Sequence, residues 1–444
     1  MTAASVIERW IAQFREFAAN GASGAPAWLR ELRDGAIGRF AELGFPSTRQ
    51  EEWRFTSIQP IAESAFTPAQ SHTSHLPSLS EMAPFLVTGP RAVFVNGRFI
   101  ESLSTADGMP AGAWLGSLWQ ALQSQPDLVR AHLARYARAD AHGFAALNTA
   151  FIKDGGFVYF PARAVVAEPL QLVFLTMAGG DQPVSHPRTL IVFEREAAGQ
   201  VVETYASLDG GTYLTNAVTE LVLGDGAQVH HARIQRESER AYHIATNLTH
   251  QGRDSRLVST TVALGAGLSR HHVSAVLDGT GAFLLLNGLS VLGGRQHVDH
   301  HTSIDHARPH GESHEFFNGV FDGDSRGVFN GRIIVRPGAQ RTDSKQTNNN
   351  LLLSTTARAD SQPQLEIYAD DVKCTHGSTV GPLDETALFY LRSRGIGPDE
   401  ARGLLTYGFA AQILDQVEIP GVRVGLDRIV RGRLGVAESR PSAA

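Results

Sequence analysis

Gln340-Arg341-Thr342-Asp343-Ser344-Lys345-Gln346-Thr347-Asn348-Asn349-Asn350, followed by Leu351-Leu352-Leu353, is the stretch that decides the fold. An amide-rich run of this kind is suited to strands stacked in register, where side-chain amides ladder from one strand to the next. It points to a solenoid of stacked rungs rather than a simple sandwich, although no clean numerical repeat accompanies it. Working outward, the chain from about Gly155 to Val380 is a succession of short β-branched or aromatic runs. Examples are Gly156-Phe157-Val158-Tyr159-Phe160, Leu170 to Leu175, Thr189 to Phe193 and Thr219 to Leu223. Glycine- and asparagine-bearing turns separate them, and helical periodicity is absent. More than 200 residues of strand without interleaved helices argue against a doubly wound α/β sheet and predict a large β body, for which a sandwich, a jelly roll or a parallel β-helix would each serve.

Helices are expected on either side. Val6, Trp10, Phe14 and Phe17 lay one apolar stripe along a helix that ends by Gly21, and a second runs from about Ala27 to Leu43 before Gly44-Phe45-Pro46. A third is expected over Asp127 to Ala139, with Val129, Leu133 and Tyr136 on one face, and Asn96-Gly97 marks a tight turn in a strand region from Arg91 to Ile100. After the β body, Asp384-Glu385 opens a helix closed by Arg392, Arg394 and Gly395. Pro398-Asp399-Glu400 opens the next. A last helix after Pro420 turns Val422, Leu426, Ile429 and Val430 inward and Arg423, Arg428, Arg431 and Arg433 outward. The expected organisation is a mostly helical region over 1–150, the β core over 151–382, a C-terminal helical domain over 383–436 and a disordered tail over 437–444.

The 444 residues carry 39 Lys and Arg against 45 Asp and Glu, a net charge of -6 that offers no electrostatic footprint for nucleic acid. The first residues lack a basic and apolar leader and no apolar stretch is long enough to span a bilayer, so a cytoplasmic protein is expected, bound to no membrane. No Gly-Lys dipeptide, Cys-x-x-Cys or His-Glu-x-x-His occurs, which leaves no phosphate loop for a nucleotide and no familiar metal motif. Gly265-Ala266-Gly267 and Gly279-Thr280-Gly281 read as turns between strands.

The chain has a single cysteine, in Asp370-Asp371-Val372-Lys373-Cys374-Thr375-His376-Gly377. One thiol makes no internal disulfide and supplies a quarter of the thiolates that normally hold an iron-sulfur cluster, so metal chemistry at Cys374 requires a second chain. If Glu366 to His376 is one extended segment, Cys374, His376 and Val372 share a face, and the two donors can share one ion. The plain alternative is a small buried apolar thiol beside a hydrogen-bonded histidine. A second cluster, His297, His300, His301, His306, His310 and His314, falls within 18 residues with Asp299, Asp305 and Glu315. Its imidazoles suit iron, zinc or copper, and His297, His300 and His301 are candidate ligands of a transient metal station. Its spacing matches no metal motif, and Pro309-His310-Gly311 breaks the strand phase.

Several segments together carry a family likeness. Pro46-Ser47-Thr48-Arg49-Gln50-Glu51-Glu52-Trp53-Arg54-Phe55-Thr56, Leu147 to Phe151, Ala339 to Asp343, Pro363 to Ile367, and the run from Asp370 through Leu388-Phe389-Tyr390-Leu391-Arg392-Ser393-Arg394-Gly395 resemble the SufB/SufD family of iron-sulfur cluster assembly proteins. Val-Lys-Cys-Thr-His-Gly ahead of the Leu-Phe-Tyr-Leu-Arg helix is similar to the SufD branch. The resemblance implies a right-handed parallel β-helix core between N- and C-terminal helical regions, and a non-catalytic scaffold role in assembling clusters and supporting iron acquisition. It implies a SufB-like partner and two copies of a SufC-like ATPase docked on the C-terminal helical regions of this chain and of the SufB-like partner. By the same resemblance, His376 and Cys374 face a SufB cysteine across the interface and hold the nascent, transient iron-sulfur cluster shared with SufB, while this chain binds no nucleotide. A homodimer of the isolated chain is a further expectation, from exposed edge strands. Two other readings compete: a stand-alone metal-binding protein using the histidine segment, and a polysaccharide-active β-helix enzyme. The latter needs paired carboxylates in a groove, which Asp370 and Asp371, pointing to opposite sides of a strand, do not supply.

Overall fold

The computed structural model describes residues 3–20, 24–69, 76–137, 139, 141–180 and 182–436; the tail expected at 437–444 lies outside them. The β body is a parallel β-solenoid of about eight turns, with helices at both ends of the chain. From Leu170 onward, successive long strands alternate between two sheets, so each rung contributes one strand to each. Sheet A holds Leu214–Leu223, Tyr242–Gln251, Leu268–Leu277, His297–His306, Arg326–Val335 and Arg358–Ile367. Sheet B holds Ala198–Ser207, Gln228–Arg236, Arg256–Ala263, Phe283–Leu292, Glu312–Phe321, Asp343–Leu352 and Lys373–Gly381. Ladder hydrogen bonds join rung to rung throughout, because a strand buried on both faces has no water to satisfy its amides.

The amide ladder occurs where the sequence placed it. Asp343–Leu352 lies in register between Glu312–Phe321 and Lys373–Gly381. Asn349 Nδ2 donates to Asn318 Oδ1 at 3.4 Å, and Thr379 Oγ1 donates to Asn349 Oδ1 at 2.8 Å. The missing repeat also has a cause. The stacked positions Ala245, His271, His300, Phe329 and Ser361 are spaced by 26, 29, 29 and 32 residues, since the turns differ in length.

Alternation along each strand sends one set of side chains into the lumen and the other onto the outer faces. The lumen is apolar at its start, with Phe94, Phe160, Leu172, Phe174 and Phe193, and this core runs as far as Phe317 and Phe329. The outer face of sheet A is covered by the N-terminal helices Ala3–Asn20 and Ala27–Leu43 and the short helix Glu51–Trp53, through Trp10, Phe14, Phe40 and Trp53 against Leu214, Ile244 and Leu268. Helices Pro398–Leu414 and Pro420–Arg433 cover sheet B through Ile413, Leu414, Val422 and Leu426 against Ile234, Val262 and Leu289. Asp384 caps the helix Glu385–Ser393 by accepting from the backbone N–H groups of Thr386 and Ala387. The hairpin at Asn96-Gly97 is present, both residues having positive φ, 49° and 76°. The strands Arg91–Val95 and Trp114–Ser117 before residue 150 pair into the solenoid sheets, so strand pairing crosses that point in the chain.

Three expectations are corrected. The helix expected over Asp127 to Ala139 spans Pro126–His132 and stops there. The backbone N–H groups of Ala134, Tyr136 and Ala137 instead wrap the buried Glu220 carboxylate at 2.8, 3.0 and 3.1 Å, with Ala134 at φ 59°. Glu366 to His376 is two strands in different sheets, Arg358–Ile367 and Lys373–Gly381, joined by a turn. That turn is held by Asp371 N–H to Gln340 Oε1 at 2.9 Å and Arg341 N–H to the Asp371 carbonyl at 2.6 Å. Arg433 does not face outward: its Nη1 donates to the Val291 carbonyl of the solenoid at 3.1 Å.

Candidate functional site at the open end of the solenoid

Cys374 and His376 stand on the last strand of sheet B, whose outer edge has no strand partner among the described residues. Their register partners Ser344 and Gln346 are buried in the lumen, so alternation carries the thiol and the imidazole onto the same inward face one rung further. Cys374 is half-buried beside Val372 and Leu365, whereas His376 is exposed. The expected shared face is therefore present, although the backbone before Lys373 differs. Burial, and then the Asp343 carboxylate, push the Cys374 thiol above its ordinary value, so in the isolated chain it is a protonated thiol. A metal would have to displace that proton.

Beneath each donor the lumen is polar. Under Cys374, Ser344 Oγ lies 2.7 Å from Ser313 Oγ, which lies 2.8 Å from His306 Nε2. Under His376, Gln346 Nε2 donates to Glu315 Oε2 at 2.5 Å, and burial pushes the Glu315 carboxyl up to about 7. In the sequence Glu315 stands only as an acid among histidines. Its signal was parity: Ser313, Glu315 and Phe317 alternate inward, and a charged residue at an inward position is rarely without use. The rung around these donors also leaves apolar side chains uncovered, exposing Ile367 at 39%, Tyr368 at 61% and Val380 at 48%.

The histidine segment is split by the same alternation. His300 and His306 enter the lumen, where His300 stacks on His271 with centroids 5.2 Å apart, and His271 continues to His243 at 5.2 Å. His297 and His301 face outward beneath the N-terminal region, and His310 sits in a turn at φ 60°. His297, His300 and His301 are thus not brought together. Among the described residues no three His, Cys, Asp or Glu side chains converge as a metal-holding group. His297 and Asp299 anchor the N-terminal region instead: Thr56 Oγ1 donates to Asp299 Oδ2 at 2.5 Å and lies 2.9 Å from His297 Nε2. Arg270, ion-paired with Asp299, lies 3.8 Å over the Trp53 ring. Asn148 is a second anchor, donating to the carbonyls of Pro187 and Asn216 at 3.0 and 2.9 Å.

Comparison with known families matches most of the chain, up to residue 409. The description "SUF system FeS cluster assembly, SufBD core domain" matches residues 174–409, and "SufBD protein N-terminal region" matches residues 4–172. The chain belongs to the SufBD family of iron-sulfur cluster assembly proteins. A SufBD family protein of Synechocystis is 34% identical to it over 91% of each chain. The iron-sulfur cluster assembly protein SufD of Escherichia coli is 29% identical over 92% of each chain, and that of Bacillus subtilis 27% identical over 92% of this chain and 94% of its own. In this SufBD family member the segments Pro46 to Thr56 and Leu147 to Phe151 serve as the anchors of the N-terminal region. The run through Cys374 forms the open rung. Among the described residues no helix is long and apolar enough to cross a membrane.

Proposed function

We propose that this chain is a SufD-type, non-catalytic scaffold subunit of a SufBCD-type complex in the cytoplasm. Cys374 and His376 contribute ligands to a nascent iron-sulfur cluster completed by a SufB-like partner. The observation that carries this reading is the placement of the sole thiol and an exposed imidazole on one face of a terminal rung whose strand edges are free. One thiol and one imidazole form half of a ligand set, and a soft thiolate with a borderline imidazole suits iron. A site so composed holds a cluster less firmly than four thiolates, which fits cargo that must leave. The free edges of Arg358–Ile367 and Lys373–Gly381 offer backbone donors and acceptors for a second solenoid to continue the sheets. In isolation the same edges are available to a second copy of this chain. A SufC-like ATPase docks on the C-terminal helices, where Phe389 and Tyr390 are exposed at 72% and 56%, and the complex supports iron acquisition. The test is His376→Ala in the complex co-produced with SufB-like and SufC-like partners. Cluster formation is lost while far-UV spectra and ATPase binding persist; full cluster formation in the variant removes the pair from the function.

A further inference from the structure

Glu315, Gln346 and His376 occupy one register position on three successive rungs of sheet B. Rungs are about 4.8 Å apart, so each side chain stands over the one before. Glu315 and Gln346 are buried, with 2% and 1% exposure. Gln346 Nε2 donates down this column to Glu315 Oε2 at 2.5 Å. An amide that donates toward one rung leaves its oxygen for another direction, and Gln346 Oε1 is buried without a hydrogen-bonding partner among the described residues. Room for this arrangement comes from Gly331 on the opposite sheet, where a Cβ would sit 2.1 Å from Gln346 Nε2. An unmade hydrogen bond on a buried amide oxygen is a standing cost that a structure tends to keep only where the oxygen is used.

The use follows from what a ligating imidazole needs. A ring that offers one nitrogen to iron must carry its proton on the other, and a hydrogen-bond acceptor at that N–H fixes both the tautomer and the ring plane. Without one, an exposed histidine on a free edge samples several rotamers and both tautomers. We propose that Gln346 Oε1 accepts the ring N–H of His376 and that Glu315 holds the amide in that orientation, making Gln346 and Glu315 positioning residues for the ligand at the open end. The inference rests on the reading of His376 as a ligand. An amide acceptor has a particular merit here, because it orients the ring without adding a charge beside an anionic cluster. Glu315 lies one rung deeper, beyond the amide.

The test reads the tautomer directly. In the full chain with ¹⁵N-labelled histidine, long-range ¹H–¹⁵N correlation spectra at pH 8 are assigned for His376 by the signals lost in His376→Ala. One tautomer is expected in the native chain. Gln346→Leu should give the averaged pattern of a mixture, Gln346→Glu should restore one tautomer because an acceptor is kept, and Glu315→Gln should stay native while Glu315→Leu follows Gln346→Leu. Unchanged signals from the other histidines show that each variant is folded. A single His376 tautomer surviving in Gln346→Leu, or a mixture in the native chain, overturns the proposal. In the complex, Gln346→Leu should lower cluster loading by about 10–100-fold, the usual cost of removing a ligand's orienting partner. If His376→Ala leaves loading intact while the tautomer results hold, the ligand reading fails and the positioning geometry stands.

Discussion

Acidification should destabilise this protein between pH 7.5 and 5.5, above the range in which ordinary carboxylates titrate, because several imidazoles are held neutral by burial. Burial is the main cause at each: it holds His142 down to about 3, His300, His301 and His306 to about 4, and His271, beside the His300 and His243 rings, well below the ordinary value of 6.5. His142 has a further reason to stay neutral, since its Nδ1 accepts the Ala145 N–H at a helix N-terminus. In the unfolded chain each regains a pKa near 6.5 and binds a proton that the folded chain refuses. The unfolded state therefore binds more protons, and stability fully present above pH 6.5 is lost as pH falls toward 4. From pH 7.5 to 5.5 each ring costs about 1.4 kcal/mol, or about 7 kcal/mol for the five. Glu315 works in the opposite sense. Its folded value of about 7 lies above the unfolded 4.5, so its stabilisation grows as pH falls through 7, giving back about 2 kcal/mol. For these five rings and Glu315 the net loss is about 5 kcal/mol, a third or more of the stability of a typical domain, and His186 and His272, also held low by burial, add to it. Urea denaturation followed by far-UV circular dichroism at pH 7.5, 6.5 and 5.5 should show a steep fall in midpoint below pH 6.5. His271→Phe should make the fall shallower by about one proton's share. A midpoint that does not move between pH 7.5 and 5.5 would refute the assignment of these rings as buried and neutral.

The remaining predictions concern packing. Arg188 and Glu220 pair at 2.6 Å with both side chains fully buried, so Glu220→Ala should cost about 3–5 kcal/mol. It should also free the segment 134–137, which limited proteolysis would detect as a new cut there. Phe317→Ala empties the lumen between the apolar core and the polar rungs and should cost about 3–5 kcal/mol in urea denaturation; a loss under about 1 kcal/mol would mean that the lumen collapses around the gap. Asn318 Nδ2 donates to the Phe409 carbonyl at 3.0 Å and to Gln412 Oε1 at 3.2 Å, tying helix Pro398–Leu414 to sheet B. Asn318→Ala should remove about 1–2 kcal/mol and lower amide-exchange protection in that helix about tenfold while the solenoid strands keep theirs.

What was legible in the chain followed local rules, and what was not depended on distant partners. The flanking helices could be placed from apolar periodicity and terminators: Ala27–Leu43 follows Pro26 and ends before Gly44, and Pro398–Leu414 opens at its proline. The Asn348-Asn349-Asn350 run pointed to stacking, but only Asn349 stands over another amide, Asn318; its neighbours stand over Phe317 and Gly319. The helix after Pro126 could not be bounded from its own residues, because the group that ends it is Glu220, more than 80 residues away. The break between Ile367 and Lys373 was equally hidden. It contains neither glycine nor proline, and its turn is held by Gln340 and Arg341 of the preceding rung. At the candidate site, the pairing of Cys374 with His376 needed only the two-residue period. The column beneath them needed the rung register, which variable turn lengths erase from the sequence.

The same register explains why the polar end of the lumen is tolerable. Rung by rung the inward residues change from Phe317 and Phe329 to Ser344, Gln346 and Asn348, and then to Cys374, His376 and Ser378. A closed solenoid would gain more by ending in leucine and valine, and a free pair of ten- and nine-residue edge strands invites uncontrolled pairing. A terminus that is both polar inside and unpaired at its edges makes physical sense if another solenoid meets it there. The partner would satisfy the backbone groups, cover Tyr368 and Val380, and enclose the polar face as a small chamber with donors from two chains. Replacing both partners of the buried column, Glu315→Leu together with Gln346→Leu, leaves neither member of the pair orphaned and should therefore raise the stability of the isolated chain while lowering cluster loading in the complex. That divergence separates a rung shaped for stability from one shaped for a shared site.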